Sequence, residues 1–137
     1  MKNLKYAAIF LVLVSTVLIS AIKASNGKSG NPNVINVSDS NFDKTIKSGV
    51  VIVDFWATWC GPCRRQGPIL EQVASEMDGK ILVAKLDVDG NKVTSSRFSV
   101  QSIPTMLIFK DGKMVQRIVG LTSKEDLVKY LNTALKN

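Results

Sequence analysis

Short unbroken apolar runs alternate along this chain with segments whose apolar residues recur every three or four positions. Val50 to Phe55 is one run, broken only by Asp54, and Ile81 to Leu86 is a second, broken only by Lys85. Thr105 to Lys110 is a third. Runs this short, bounded by turn residues, predict strands buried inside a sheet. Val34-Ile35-Asn36-Val37 predicts a shorter strand. Asp111-Gly112 is a hairpin signal that leads into a partner strand, Lys113 to Val119. The periodic segments predict helices. One spans Asp39 to Lys47, with Ser38 as its cap, Phe42 and Ile46 on its apolar face and Ser48-Gly49 as its stop. Another reaches about Met77, with Ile69, Leu70, Val73 and Met77 inward and Pro68 as an expected kink. Asn91 to Phe98 is short. Ser123-Lys124-Glu125-Asp126 opens the last helix, with an acidic first turn and an apolar face of Leu127, Val128, Leu131 and Leu135. The order β-α-β-α-β-α-β-β-α gives an α/β domain, a parallel sheet with an antiparallel hairpin at its edge and helices on both faces.

The N-terminus follows a different pattern. Lys2 and Lys5 precede a seventeen-residue apolar stretch, Tyr6 to Ile22, interrupted only by Ser15, Thr16 and Ser20. A cationic start followed by an apolar run is an export signal or an N-terminal membrane anchor; its length exceeds the ~7–15 residues usual for a cleaved signal's apolar core and only reaches the lower end of the ~17–25 of a spanning helix. Retention of the positive end inside places the rest of the chain outside the cytoplasm in both cases. The expected organisation is residues 1–24 as signal peptide or anchor, 25–33 as a flexible Gly/Ser/Asn linker and 34–137 as the folded domain.

The net charge of +7 belongs in part to that leader. Setting aside residues 1–24, with three lysines and no acid, leaves +4. This is too weak and too dispersed to predict nucleic-acid binding. Histidine is absent, which excludes histidine general bases, Ser-His-Asp triads and histidine-bearing metal sites.

The only two cysteines, Cys60 and Cys63, sit where the central strand gives way to a helix. A structural zinc needs about four ligands, which this chain does not supply. A purely structural disulfide across two residues closes too small a loop to stabilise much. A redox pair makes use of the flanks. Unpaired helix N–H groups favour a thiolate at Cys60, the expected exposed nucleophile. Cys63, one turn on, can resolve a mixed disulfide. Gly61 permits the tight geometry, and Pro62 suits a first helical turn. Asp54, in the strand just before, should be buried with a raised pKa and can take the proton from Cys63, directly or through water. Lys85 in the neighbouring run is a candidate partner for Asp54.

The string Val53-Asp54-Phe55-Trp56-Ala57-Thr58-Trp59-Cys60-Gly61-Pro62-Cys63 resembles the active site of the thioredoxin family. The similarity continues through Pro68, Lys85, Asp87-Val88-Asp89, Ile103-Pro104-Thr105, Asp111-Gly112 and Val119-Gly120, covering residues 34–137. It implies the thioredoxin fold, a central mixed sheet flanked by helices on both faces. It also implies a cis peptide before Pro104, beside the cysteines. Backbone at Ile103 and Thr105 is then expected to pair with an extended substrate, with Trp59, Gly61, Pro62, Gly120 and Leu121 lining the contact surface. Two departures stand out. Arg64-Arg65 follows the second cysteine where the family usually carries one lysine, and Gln66-Gly67 replaces a commonly apolar pair.

The resemblance implies a thiol–disulfide oxidoreductase that reduces or exchanges disulfides of substrate proteins. It needs no cofactor beyond the Cys60–Cys63 disulfide and no metal, and acts as a monomer. Gly-Pro between the cysteines is similar to the reducing members, with potentials near about −270 mV. The domain lacks the insertions of the oxidising and cytochrome-maturation relatives. Outside the cytoplasm such a reductant requires a separate electron donor, expected to be a membrane thiol carrier. A periplasmic dithiol oxidase and a non-catalytic binding subunit are the alternatives.

Overall fold

A computed structural model describes residues 30–137; the expected signal or anchor lies outside the described residues. Strand order in the single five-stranded sheet is β1-β3-β2-β4-β5. The strands are β1 (Val34–Asn36), β2 (Val50–Trp56), β3 (Ile81–Asp87), β4 (Thr105–Lys110) and β5 (Lys113–Val119). The helices are α1 (Phe42–Ile46), α2 (Gly61–Glu76), α3 (Lys92–Arg97) and α4 (Lys124–Lys136). Val50, Ile52, Leu70, Val73 and Leu131 pack on one face of the sheet, beneath α2 and α4. Phe42, Val51, Val53, Phe55 and Phe109 pack on the other, beneath α1. The apolar runs read as buried strands are therefore covered on both sides, as continuous runs require.

β1, β3 and β2 are parallel, but β4 pairs antiparallel to β2. The alternation of strand and helix predicts a parallel β4, and the structure corrects it. The connection between β3 and β4, residues 88–104, holds only the six-residue α3 and stays at the end of the sheet where β2 and β3 finish. β4 begins there and runs back along β2, with Thr105 opposite Phe55. This geometry brings the Ile103–Pro104 segment beside the cysteines.

Three local readings also change. The helix expected over 39–47 begins only at Phe42, and Ser38 does not cap it. Asp39 instead accepts hydrogen bonds from the backbone N–H groups of Thr94 and Val93, at 2.8 and 3.2 Å, so it caps α3 from another part of the chain. Asn31 and Asn33, read as linker, are held in place. Asn31 Nδ2 donates to Ser75 Oγ at 2.8 Å and to the Glu71 carbonyl at 3.3 Å, and Asn33 bonds Asp78. Finally, a register shift between Ile108 and Phe109 inserts Val115 into the β5 ladder. It breaks the two-residue alternation, leaving Met114 and Val115 both exposed.

The Asp111-Gly112 hairpin forms as expected. Both residues have positive φ, 48° and 82°, as a two-residue turn matched to strand twist requires. Ser123 caps α4 through its hydroxyl, which accepts from the Asp126 N–H.

Candidate functional site

β2 ends at Trp56, and four residues later the chain enters α2 with Cys60 as its N-cap in extended backbone geometry. Pro62 falls in the first turn, where its missing N–H goes unused. Cys60 and Cys63 are joined as a disulfide. The Cys63 N–H donates to Cys60 Sγ at 3.2 Å. On reduction the same N–H, together with the helix terminus, faces a Cys60 thiolate and favours it. One expectation changes here. Cys60 is only 4% exposed and Cys63 3%, packed with Ala57 against Trp56, Val88 and Ile103. The nucleophile is nearly enclosed by apolar side chains and is not broadly exposed.

Ile103 and Pro104 close the site from the opposite side. Their peptide bond is cis. The Ile103 carbonyl oxygen lies 3.7 Å from Cys60 Sγ, so backbone here is adjacent to the reactive sulfur. Thr105 departs from its expected place. It is buried, paired between Phe55 and Val119, with its hydroxyl donating to the Ser102 carbonyl at 2.7 Å. Ile103 is the half-buried backbone left facing the pair.

Trp59 is 67% exposed and its indole N–H donates to Asp89 Oδ2 at 2.8 Å. It forms one wall of a groove of about 310 Å³ that continues past Val88, Lys92 and Gln101 to Ile103. Gly61 is half-buried and Pro62 exposed beside the pair. Gly120 has φ +90°, a conformation that favours glycine, and its N–H donates to the Pro104 carbonyl at 2.8 Å. Leu121 is 45% exposed.

Asp54 is fully buried, and neither carboxylate oxygen has a hydrogen-bond partner among the described residues. Burial pushes its pKa up to about 7, against a weaker opposing pull from Lys85. Lys85 is the register partner of Asp54 in β3, but its ammonium does not bond the carboxylate. It lies 4.7 Å from the centre of the Trp56 ring. The expected ion pair is thus a through-space influence. The lysine finds an aromatic face near the surface and avoids full desolvation.

Two contributors escaped the sequence reading. Asp89 was legible only as part of a matching string. Gln66 stands out in the sequence only as a departure from the matching pattern, yet it falls three residues after Cys63 on the inward stripe that continues with Leu70 and Val73. A polar residue on that stripe is the signal that marks it. Gln66 is fully buried, and its amide pairs with both backbone groups of Thr122. Oε1 accepts from the Thr122 N–H at 2.8 Å, and Nε2 donates to its carbonyl at 3.3 Å.

No group of His, Cys, Asp and Glu suited to a metal occurs among the described residues. A family model described as thioredoxin matches residues 33–133. The thioredoxin of Staphylococcus haemolyticus is 52% identical over 102 residues, covering 74% of this chain and 98% of the relative. Those of Staphylococcus saprophyticus and Staphylococcus aureus are 51% and 47% identical over the same shares.

Proposed function

This chain belongs to the thioredoxin family and is a thiol–disulfide oxidoreductase, and from that premise we propose that it works as a reductant of protein disulfides outside the cytoplasm. The observation that carries the chemistry is the Cys60–Cys63 pair at the start of α2, with a buried Asp54 in the strand behind it whose pKa is about 7. In the reduced protein the Cys60 thiolate attacks a substrate disulfide, and one substrate sulfur leaves as thiolate. Asp54 takes the proton from Cys63, directly or through water. Cys63 then attacks the mixed disulfide at Cys60, releasing the second substrate thiolate and leaving the protein oxidised. A carboxyl that titrates near neutrality suits this step, since it both accepts and returns the proton at working pH. Two electrons pass to the substrate. A separate dithiol donor, in this reading a membrane thiol carrier, restores them.

The reducing direction draws on the Gly61-Pro62 spacer. The extracytoplasmic setting draws on the cationic and apolar leader, residues 1–24, whether cleaved or kept as an anchor. The family match begins at residue 33 and leaves that leader as an addition to the shared domain. The surface of Trp59, Pro62, Ile103, Gly120 and Leu121 around the sulfurs is the docking face for an extended substrate.

The test of the reaction is trapping. Cys63→Ser should accumulate mixed disulfides at Cys60 with both donor and substrate proteins, and Cys60→Ser should accumulate none. Wild-type protein should accelerate insulin reduction by dithiothreitol; no acceleration would favour a binding subunit. A potential above about −150 mV would show an oxidant instead. For location, alkaline phosphatase fused after residue 137 should be active in cells, whereas an inactive fusion places the domain in the cytoplasm.

A further inference from the structure

We infer that Gln66 is a positioning residue for substrate docking, setting the loop Gly120–Thr122 against the redox helix. The inference builds on the exchange reaction proposed above. Gln66 has no carboxylate, thiol or ring to contribute to chemistry, yet a fully buried amide in a helix that otherwise buries apolar side chains is costly unless both ends are satisfied. Both ends are satisfied by one residue. Oε1 and Nε2 bond the N–H and C=O of Thr122 as a neighbouring strand would.

That pairing completes a chain of contacts around the sulfurs. Gln66 stands one turn beyond Cys63. Thr122, which it grips, also donates its hydroxyl to the Gly120 carbonyl at 3.0 Å. Gly120 donates to the Pro104 carbonyl at 2.8 Å, and the adjoining Ile103 carbonyl lies 3.7 Å from Cys60 Sγ. The three segments that face a substrate are thus linked: the start of α2, the segment before β4 and the loop after β5. The loop is held at two points, Pro104 at one end and Gln66 at the other. An apolar side chain at position 66 fills the same space but leaves the Thr122 backbone without a partner. Leu121, exposed between the two points, then loses its fixed position. Loosening a docking loop weakens binding of an extended polypeptide, because its order must be restored on each encounter. Exchange at the sulfurs is unaffected.

The test compares Gln66→Met with wild type as the full chain, on two substrates. KM for insulin should rise about five- to tenfold with kcat within about twofold. Reduction of dithiobis(nitrobenzoate), too small to meet the loop, should be unchanged. A lowered melting temperature with insulin KM unchanged would make Gln66 merely structural and overturn the inference; so would an equal loss on both substrates. Gln66→Glu gives a second reading that does not depend on the methionine variant. Protonated, its carboxyl offers both a donor and an acceptor to Thr122; ionised, only acceptors. The ratio of its insulin KM to wild type should fall toward one as pH is lowered, and a pH-independent ratio overturns the inference. If wild type reduces neither substrate, the exchange reaction itself fails and takes the inference with it. Wild-type activity with a normal variant KM removes the inference alone.

Discussion

Asp54 and Lys85 are opposite each other in adjacent parallel strands, yet the ammonium rests 4.7 Å from the Trp56 ring centre and the carboxylate oxygens have no hydrogen-bond partner among the described residues. The lysine therefore acts on the carboxyl only as a nearby charge. It favours the ionised form and partly offsets the effect of burial. Replacing it with Lys85→Met should push the Asp54 pKa above its present value of about 7. Carboxyl-carbon NMR titration of the oxidised protein measures this, and an unchanged or lowered value would refute the offset.

Asp54 also sets a pH dependence of stability. Its folded pKa is raised from 3.8 to about 7, so between those values the folded state holds a proton that the unfolded chain has released. Stability is then greatest at the acid end of the window, falls as pH rises through it and levels off once the folded carboxyl has ionised. Asp54→Ala should flatten that slope and be more stable than wild type at pH 8, by about 2–4 kcal/mol. Urea denaturation at several pH values gives the comparison.

The same variant should be a slower enzyme. Without the acceptor, Cys63 must ionise unaided, and release of the mixed disulfide should slow by roughly 10²-fold near neutral pH. Quenched-flow trapping of the Cys60 adduct follows the step directly. Formation of the adduct should change little, since Cys60 draws its stabilisation from the helix terminus and the Cys63 N–H.

Trp59 separates binding from folding. It is largely exposed and tied to the fold by one hydrogen bond to Asp89. Trp59→Ala should cost under about 1 kcal/mol of stability. Its kcat/KM for a protein disulfide should drop about tenfold, the loss of an aromatic anchor beside the reacting sulfur. Melting curves and insulin kinetics on one preparation check both parts.

Phe42 provides the opposite case. It is buried, and its ring meets those of Phe98 and Phe109 at 5.3 and 5.7 Å. Phe42→Ala should cost about 3–5 kcal/mol, measured by denaturant unfolding, with the exchange rate of the molecules that remain folded unchanged.

The buried runs at Val50–Phe55 and Ile81–Leu86 were legible because unbroken apolar sequence has one stable place, inside a sheet covered on both faces. The cysteine pair was legible for a similar reason: its spacing and its place at a helix start leave little else for it to do. The antiparallel β4 was not, because alternation of elements does not encode at which end of the sheet a connection such as residues 88–104 delivers the chain. Nor was the cap that Asp39 places on α3, more than fifty residues away in sequence, since Ser38 offers a plausible local cap. The burial of Cys60 depends on Val88 and Ile103, which no local pattern brings near it. Gln66 was visible as a polar interruption, but its partner is backbone, and a backbone partner leaves no mark in side-chain composition.

Asn31 and Asn33 fasten the beginning of the domain to Glu71, Ser75 and Asp78, at the far end of α2 from Cys60. The sixteen residues of that helix span about 24 Å. The chain therefore enters the domain at the rear of that helix, and a load carried along it would fall on the end away from the sulfurs.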